Sequence, residues 1–203
     1  MLRQPHVYST TSNDTLTDEL SHAPQLVYDL IEQYNIDCEL SEKSVLRLAH
    51  SRSMNSFLQR NIHQWQRRGV NDIEWIDRKR VTELTASNLY QGGIIDYRSR
   101  TINPMGYARG LAMAAAEEGV AIYTNSPAVR IKKDNNLWRV ISQDGELIAS
   151  NVIIATDAYS QGLWPGLSQS LISVGCFCYS STPLIDSRNE QALPSGKGFY
   201  DTQ

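Results

Sequence analysis

The chain has 203 residues, 41% of them hydrophobic and 20% charged, with a formal charge of -3. That balance is the ordinary globular one, and it excludes both the basic composition of a dedicated nucleic-acid binder and the long apolar run of a membrane span. Met1-Leu2-Arg3-Gln4-Pro5-His6 leads into polar sequence and not into the apolar core of a signal peptide, and three cysteines, Cys38, Cys176 and Cys178, suit a reducing compartment better than a disulfide framework. A cytoplasmic location is the expectation.

In chain order, the first residues are rich in Ser, Thr, Asn and Asp and read as loop or weak helix. From Pro24, placed in a first helical turn where its missing N–H costs nothing, Leu26, Val27, Leu30, Ile31 and Tyr34 form one apolar stripe. A β-prone stretch, Val45, Leu46, Leu48 and Ala49, precedes a second helix from about Ser51 to Arg68. In that helix Met54, Phe57, Leu58, Ile62 and Trp65 share a face, and Gly69 provides the C-cap. Its arginines, Arg52, Arg60, Arg67 and Arg68, could serve a nucleic acid or an anionic lipid, but they read more simply as the solvated side of a core-packed helix. A short helix around Arg78–Leu84 follows, then Leu89–Tyr97, where Gly92-Gly93 marks a bulge, a close backbone approach or a plain turn.

Asn103 to Ser126 is the clearest local unit. Asn103 is an N-cap, Pro104 the first helical residue, and Ala108, Leu111, Ala112, Ala114, Ala115 and Ala116 build a small-residue helix fit to lie against a sheet. Gly119 ends it, and Val120–Thr124 is predicted as a strand of a parallel α/β layer. A β-meander follows: Ala128–Lys132, a turn at Asn135-Asn136, Leu137–Ser142, a turn at Asp144-Gly145, and Glu146–Ala149. Asn151–Thr156 is continuously apolar, as for a strand buried on both faces, and Asp157-Ala158-Tyr159-Ser160 turns into a short helix.

Chemistry-bearing patterns are sparse. His6, His22, His50 and His63 lack the spacing of a metal site, and Cys176-Phe177-Cys178 stands alone. No Gly-x-Ser-x-Gly elbow is present, and Ser195-Gly196-Lys197-Gly198 lacks the spacing and the hydroxyl residue of a phosphate loop. In open α/β sheets ligands bind at the carboxyl ends of strands, so the small residues at Ala155-Thr156-Asp157-Ala158 are a reasonable place for a cofactor, although many buried strands end in Ala-Thr without one.

The order of these features resembles the FAD-dependent D-amino-acid-oxidase-like (DAO) oxidoreductases, in the glycine/sarcosine and γ-glutamylputrescine oxidase branch. The matching text is Gly92–Asp96, Asn103–Ala112, Gly119–Ile122, Ser126–Val129, Trp138–Val140, Gly145, Val152–Ser160 and Thr182–Leu184. The resemblance implies an α/β (mixed α+β) fold: a partial FAD-binding Rossmann-like layer with its β-meander, and part of an antiparallel-sheet substrate lobe. It implies residues 1–100 as a helical segment and first part of the substrate lobe, 101–167 as part of the FAD-binding domain, and 168–203 as the second part of the lobe. Val129 would meet the adenine of FAD through its backbone, and Ala155, Thr156 and Asp157 would lie along the ADP half. The family usually carries Gly or Asn where this chain has Asp157, whose carboxylate suits a ribose hydroxyl or solvent and not a phosphate.

The activity implied is oxidation of the C–N bond of a small amine or amino acid to an imine, with no nucleic-acid partner. No catalytic residue is nominated; Tyr97, Arg98 and Tyr200 fall in substrate-lobe segments and read as structural. The family's Gly-x-Gly-x-x-Gly fingerprint does not occur in the chain, so the expectation is the central part of a longer enzyme. The alternative is a truncated, non-catalytic structural or binding module. Either way, open sheet edges are expected to favour association.

Overall fold

A computed structural model describes residues 14–67, 69–159, 162–172, 175 and 191–201. Arg68, Ser160, Cys176, Cys178 and the Thr182–Leu184 match lie outside the described residues. The chain divides into two compact units, one of Met1–Gly119 with Thr182–Gln203 and one of Val120–Ser181.

The first unit is organised around a four-stranded sheet of β1 (Val45–Ala49), β2 (Ile73–Asp77), β3 (Gly92–Asp96) and β7 (Phe199–Asp201), in the order β2-β3-β1-β7. β3 runs antiparallel to both β1 and β2, while β7 lies parallel to β1. Because side chains alternate along a strand, the register sorts the sheet into two faces. Leu46, Leu48, Ile76 and Ile95 share one face and pack with Val81 and Leu84 of α3 (Arg78–Thr85). Ala49, Ile73 and Ile94 share the other and pack with Leu58, Ile62 and Trp65 of α2 (Arg52–Arg67). β2 was not read from the sequence. It forms because Ile73 and Ile76, three apart and therefore on opposite faces, each find a helix to bury them.

Gly92 and Gly93 open β3 and make a close approach. A Cβ on Gly92 would stand 2.5 Å from Asn55 Oδ1 and 2.7 Å from the Trp75 ring, and one on Gly93 would stand 2.7 Å from the Arg47 carbonyl oxygen. Asp77 caps α3, its carboxylate accepting from Arg80 N at 2.8 Å.

A third cluster joins α1 (Asp14–Gln33) to α4 (Pro104–Glu117) through Ile31, Ile36 and Cys38, with Val27, Tyr34, Tyr107 and Leu111 packed around them. Pro24 does not begin α1 but sits inside it. Its fixed φ is already helical, so the ring is accommodated at the loss of one backbone bond and some crowding of the preceding turn, about 3 kcal/mol in a helix interior. Both α1 and α2 end in six-to-one backbone bonds, Ile36 N to the Ile31 carbonyl at 2.9 Å and Val70 N to the Trp65 carbonyl at 3.1 Å. Asn35 and Gly69 supply the left-handed residue in the two cases.

Asn103 caps α4 as its sequence predicts, Oδ1 accepting from Met105 N and Gly106 N at 3.1 Å each. The helix lies on the 36–38 turn and not with its alanines against a sheet: a Cβ on Gly110 would fall 2.2 Å from Ile36 Cγ2, and one on Gly106 would fall 2.8 Å from the Asp37 carbonyl. The glycines make the close contact, so Ala108 and Ala112 stay exposed.

The second unit contains the expected meander, β4 (Arg130–Asp134), β5 (Leu137–Ile141) and β6 (Glu146–Ala149), antiparallel in that order. Asn135 takes φ +57° in the first turn, and Ser142 Oγ accepts from Gly145 N at 3.1 Å in the second. Trp138 and Trp164 meet edge to face at 5.7 Å, fixing the segment after the meander on β5.

Two predicted strands differ from expectation. Residues 120–124 form no strand, and Val120, Ile122 and Tyr123 are exposed. Residues 151–156 are not buried on both faces: they join no sheet, and Ile153 is 90% exposed. Local apolarity prepares an extended chain, but a strand also needs a neighbour to take its alternate N–H and C=O groups, and no described segment offers that neighbour. Val152 and Ile154 are half-buried while Ile153 and Ala155 are exposed, so the segment keeps a strand's period of two with only one side partly covered.

Candidate functional site

The predicted cofactor residues all fall in the second unit. Val129 stands where the chain enters the meander; its N–H donates to the Ile141 carbonyl at 2.8 Å, and the residue is half exposed. At the far end of the meander the chain leaves β6, runs extended through 151–156 and turns into a single 3-10 turn at Asp157–Tyr159. Tyr159 N donates to the Thr156 carbonyl at 2.9 Å. Asp157 takes φ +46°, the left-handed region that Gly and Asn adopt readily and Asp tolerates.

Whether these residues suit FAD can be judged from their chemistry. Ala155 is small and exposed, so a flat ligand can approach the backbone closely. Thr156 and Asp157 bring a hydroxyl and a carboxylate, groups suited to sugar hydroxyls. This set fits the adenosine portion of the cofactor. The pyrophosphate asks for something else, a glycine turn opening into a helix N-terminus. Among the described residues of the second unit the only helical pieces are the 3-10 turns Asp157–Tyr159 and Leu167–Ser170, and neither makes such a cradle.

The surrounding charge is screened and local. Arg139 on β5 bridges Asp134 at 3.1 Å and Glu146 at 2.7 Å. The hydrogen bond to Glu146 leads in pushing its pKa above the ordinary value, so this guanidinium is a fixed, neutralised feature of the meander and not a free anion site.

In the first unit, the residues that read as structural fall in two places: Arg98 and Tyr200 beside Asp96 on the α2-side face of the sheet, and Tyr97 with Glu74, whose register partner Ile95 faces α3. Arg98 holds Asp96 through Nε to Oδ1 at 3.2 Å and Nη2 to Oδ2 at 3.3 Å, its backbone N–H reaches Oδ1 at 3.1 Å, and its guanidinium carbon sits 5.9 Å from the centre of the Trp65 ring. Tyr97 donates to Glu74, and this hydrogen bond to a carboxylate is the main cause of its raised pKa. Tyr200 lies beside Arg47 across the parallel β1–β7 pair. Burial pushes the Tyr200 hydroxyl pKa up; Arg47 opposes the rise and Asp96 adds to it. The sequence singled out Arg98 and Tyr200 but not Arg47, and only the parallel register brings Arg47 and Tyr200 together. The Ser195–Gly198 run is not a phosphate loop in the structure either: Lys197 Nζ donates to Ser44 Oγ, and Gly196 lies beneath the Lys43 ammonium.

Comparison with known proteins places the whole arrangement. The family described as FAD dependent oxidoreductase (DAO) matches residues 2–196. A probable oxidoreductase OrdL of Haemophilus influenzae is 24% identical over 180 residues, spanning 87% of this chain and 42% of that protein. The γ-glutamylputrescine oxidoreductase of Escherichia coli K12 is 25% identical over 135 residues, 66% of this chain and 31% of that protein. Among solved structures, glycine oxidase from Geobacillus kaustophilus superposes with a TM-score of 0.61 at 24% identity, covering 81% of this chain and 45% of that one. The chain thus spans less than half the length of the relatives it matches. The mixed α/β fold of the chain superposes on that of the glycine oxidase.

Proposed function

The chain belongs to the FAD dependent oxidoreductase (DAO) family, and from that premise we propose that it forms part of a flavoenzyme oxidising the C–N bond of a small amine or amino acid to an imine. The observation that carries this reading is the family match over residues 2–196. The substrate class is supported by the glycine oxidase and γ-glutamylputrescine oxidoreductase among the similar proteins. FAD is the family's cofactor; when bound it accepts the hydride equivalent released from the amine-bearing carbon.

The chain's own contribution is binding and orientation. Val129 offers its backbone to the adenine. Ala155 leaves room for the adenosine to approach, while Thr156 and Asp157 meet sugar hydroxyls. Residues 101–167 serve the cofactor, and 1–100 with 168–203 build the substrate lobe. The protein works in the cytoplasm on a small molecule. No helix among the described residues is long and apolar enough to cross a membrane.

A second reading, a non-catalytic binding or structural module, is favoured by one observation: the described residues build no pyrophosphate cradle. A single preparation separates the two. The 203-residue chain is mixed with FAD, freed of excess and examined by visible absorption, then assayed with glycine, sarcosine and γ-glutamylputrescine. Retained flavin absorbance with turnover supports the flavoenzyme reading. A colourless protein removes catalysis from this chain and leaves the module. If flavin is retained, Asp157→Asn weakens it about tenfold, the effect of losing roughly 1.4 kcal/mol of a charge-assisted hydrogen bond; unchanged affinity would place Asp157 away from the ribose.

A further inference from the structure

Arg47 projects from the α2-side face of the sheet, the face shared by Ile73, Ile94 and Asp96 in the strand register. Its Nε is buried and has no hydrogen-bond partner. No carboxylate lies within ion-pair distance of Arg47 among the described residues. The nearest candidate, Asp96, is already committed: both its oxygens accept from Arg98. The side chain as a whole is half-buried, but a buried donor left unsatisfied is costly and calls for an ion or a water.

Beside Arg47 the structure holds the space for one. A cavity of about 20 Å³ is lined by Arg47, Asn61, Trp65, Asp96, Ser99 and Tyr200 over an apolar floor. That is the volume of one or two waters. Asn61, Trp65 and Asp96 are 4%, 6% and 7% exposed, while Tyr200 is 36% exposed and Arg47 and Ser99 are half-buried, so the cavity is shielded by α2 and only partly by its other walls. The ionised lining is Arg47 and Asp96; Arg98, outside that lining, already pairs with Asp96, so the three groups together carry one net positive charge. Asn61, Ser99 and Tyr200 add neutral groups able to donate.

We propose that this cavity is a binding site for a small monovalent anion of chloride size, held by the Arg47 guanidinium beneath α2. A volume of about 20 Å³ suits a single halide better than sulfate or an organic carboxylate. A water would satisfy the Nε donor but leave the charge in place, whereas a halide answers both. The site stands on the first unit alone and does not depend on the flavoenzyme reading.

The test uses the full chain. Thermal unfolding is followed in sodium chloride and in sodium gluconate at equal ionic strength, because gluconate is too large for the cavity. Chloride raises the midpoint by roughly 4 °C at a tenfold excess over its dissociation constant. Arg47→Met removes that difference, and its midpoint in gluconate is equal to or above that of the wild type, since the unsatisfied buried donor has gone. Arg47→Lys, which keeps the charge and loses the Nε donor, needs about tenfold more chloride for the same shift, a loss near 1.4 kcal/mol. Crystals grown in bromide show an anomalous peak within hydrogen-bond distance of Arg47 Nε. Equal midpoints in the two salts, a chloride effect that survives Arg47→Met, or a bromide map showing only water in the cavity would each overturn the proposal.

Discussion

The two units of this chain use apolar residues in opposite ways. In the first, three clusters bury Leu46, Leu48, Leu58 and Val81 to 0% exposure, and Cys38 to 1%, and β1, β2 and β3 each pack against helices. In the second, a well-formed meander carries Leu137, Leu147 and Ile148 exposed, and the segments after it carry Ile153 and Ile172 at 90% and 91%. Hydrogen bonding is complete enough in both to make regular strands. What differs is whether a second layer exists to receive the side chains, and it is layering that turns a ladder into a core.

The strongest way to break this comparison is truncation. Leu46→Ala in the first unit is expected to cost about 3 kcal/mol, because lost transfer energy and a residual cavity add. Ile153→Ala in the second is expected to stay within about 0.5 kcal/mol, as for an exposed position. Urea unfolding of the two variants reads the contrast directly. Comparable losses would mean that the second unit has a core its exposures do not show.

A smaller effect, about 2 kcal/mol, is expected from Gly110→Val, since overpacking in a closed contact forces neighbours to move and the new Cβ falls on Ile36. Gly145→Val, at a turn where nothing lies within 4 Å of the added Cβ, serves as its partner in the second unit. Equal urea midpoints for the two variants would show that α4 is not seated as tightly as the 36–38 contact implies.

The mildest contrast is alkaline. Burial raises the pKa of the Cys38 thiol above its ordinary 9.0, and burial likewise raises the phenols of Tyr28 and Tyr90 above 10.0. In each case the folded state holds its proton more tightly than the unfolded one. The associated stability is therefore fully present below about pH 9 and is lost as pH rises through the elevated values. All three groups belong to the first unit. Denaturant melts from pH 8 to 11 should show its midpoint falling first, and a flat profile would contradict the burial of these groups.

Local chemistry was legible residue by residue. Asn103 and Pro104 announced the start of α4, Gly69 the end of α2, and Asn135-Asn136 with Asp144-Gly145 the two turns of the meander. Each signal acts over four or five residues, so a sequence carries it whole. The α2 stripe was equally readable, because Leu58, Ile62 and Trp65 recur at helical spacing. Residues 120–124 and 151–156 were misread for the opposite reason. β-propensity measures fit to a pleated, half-buried surface and not an intrinsic preference of the backbone, and no such surface adjoins these residues among the described segments. The candidate site shared this limit: Ala155, Thr156 and Asp157 were found through family likeness and the small-residue ending, while Arg47 gave no sign at all.

The amino-acid sequence by itself determined the helices, the caps, the meander and the membership of a flavin-dependent family, since these rest on short-range periodicity and on the order of motifs. Only the tertiary structure decided which apolar segments become core, why α4 needs its glycines, and that Arg47 stands beside Tyr200 with a buried nitrogen left over. Those outcomes depend on contacts between residues far apart in the chain: Arg47 and Tyr200 meet through a parallel register, and Gly110 and Ile36 through a helix laid across a turn. Spacing along one strand or helix carries no record of what is packed against it.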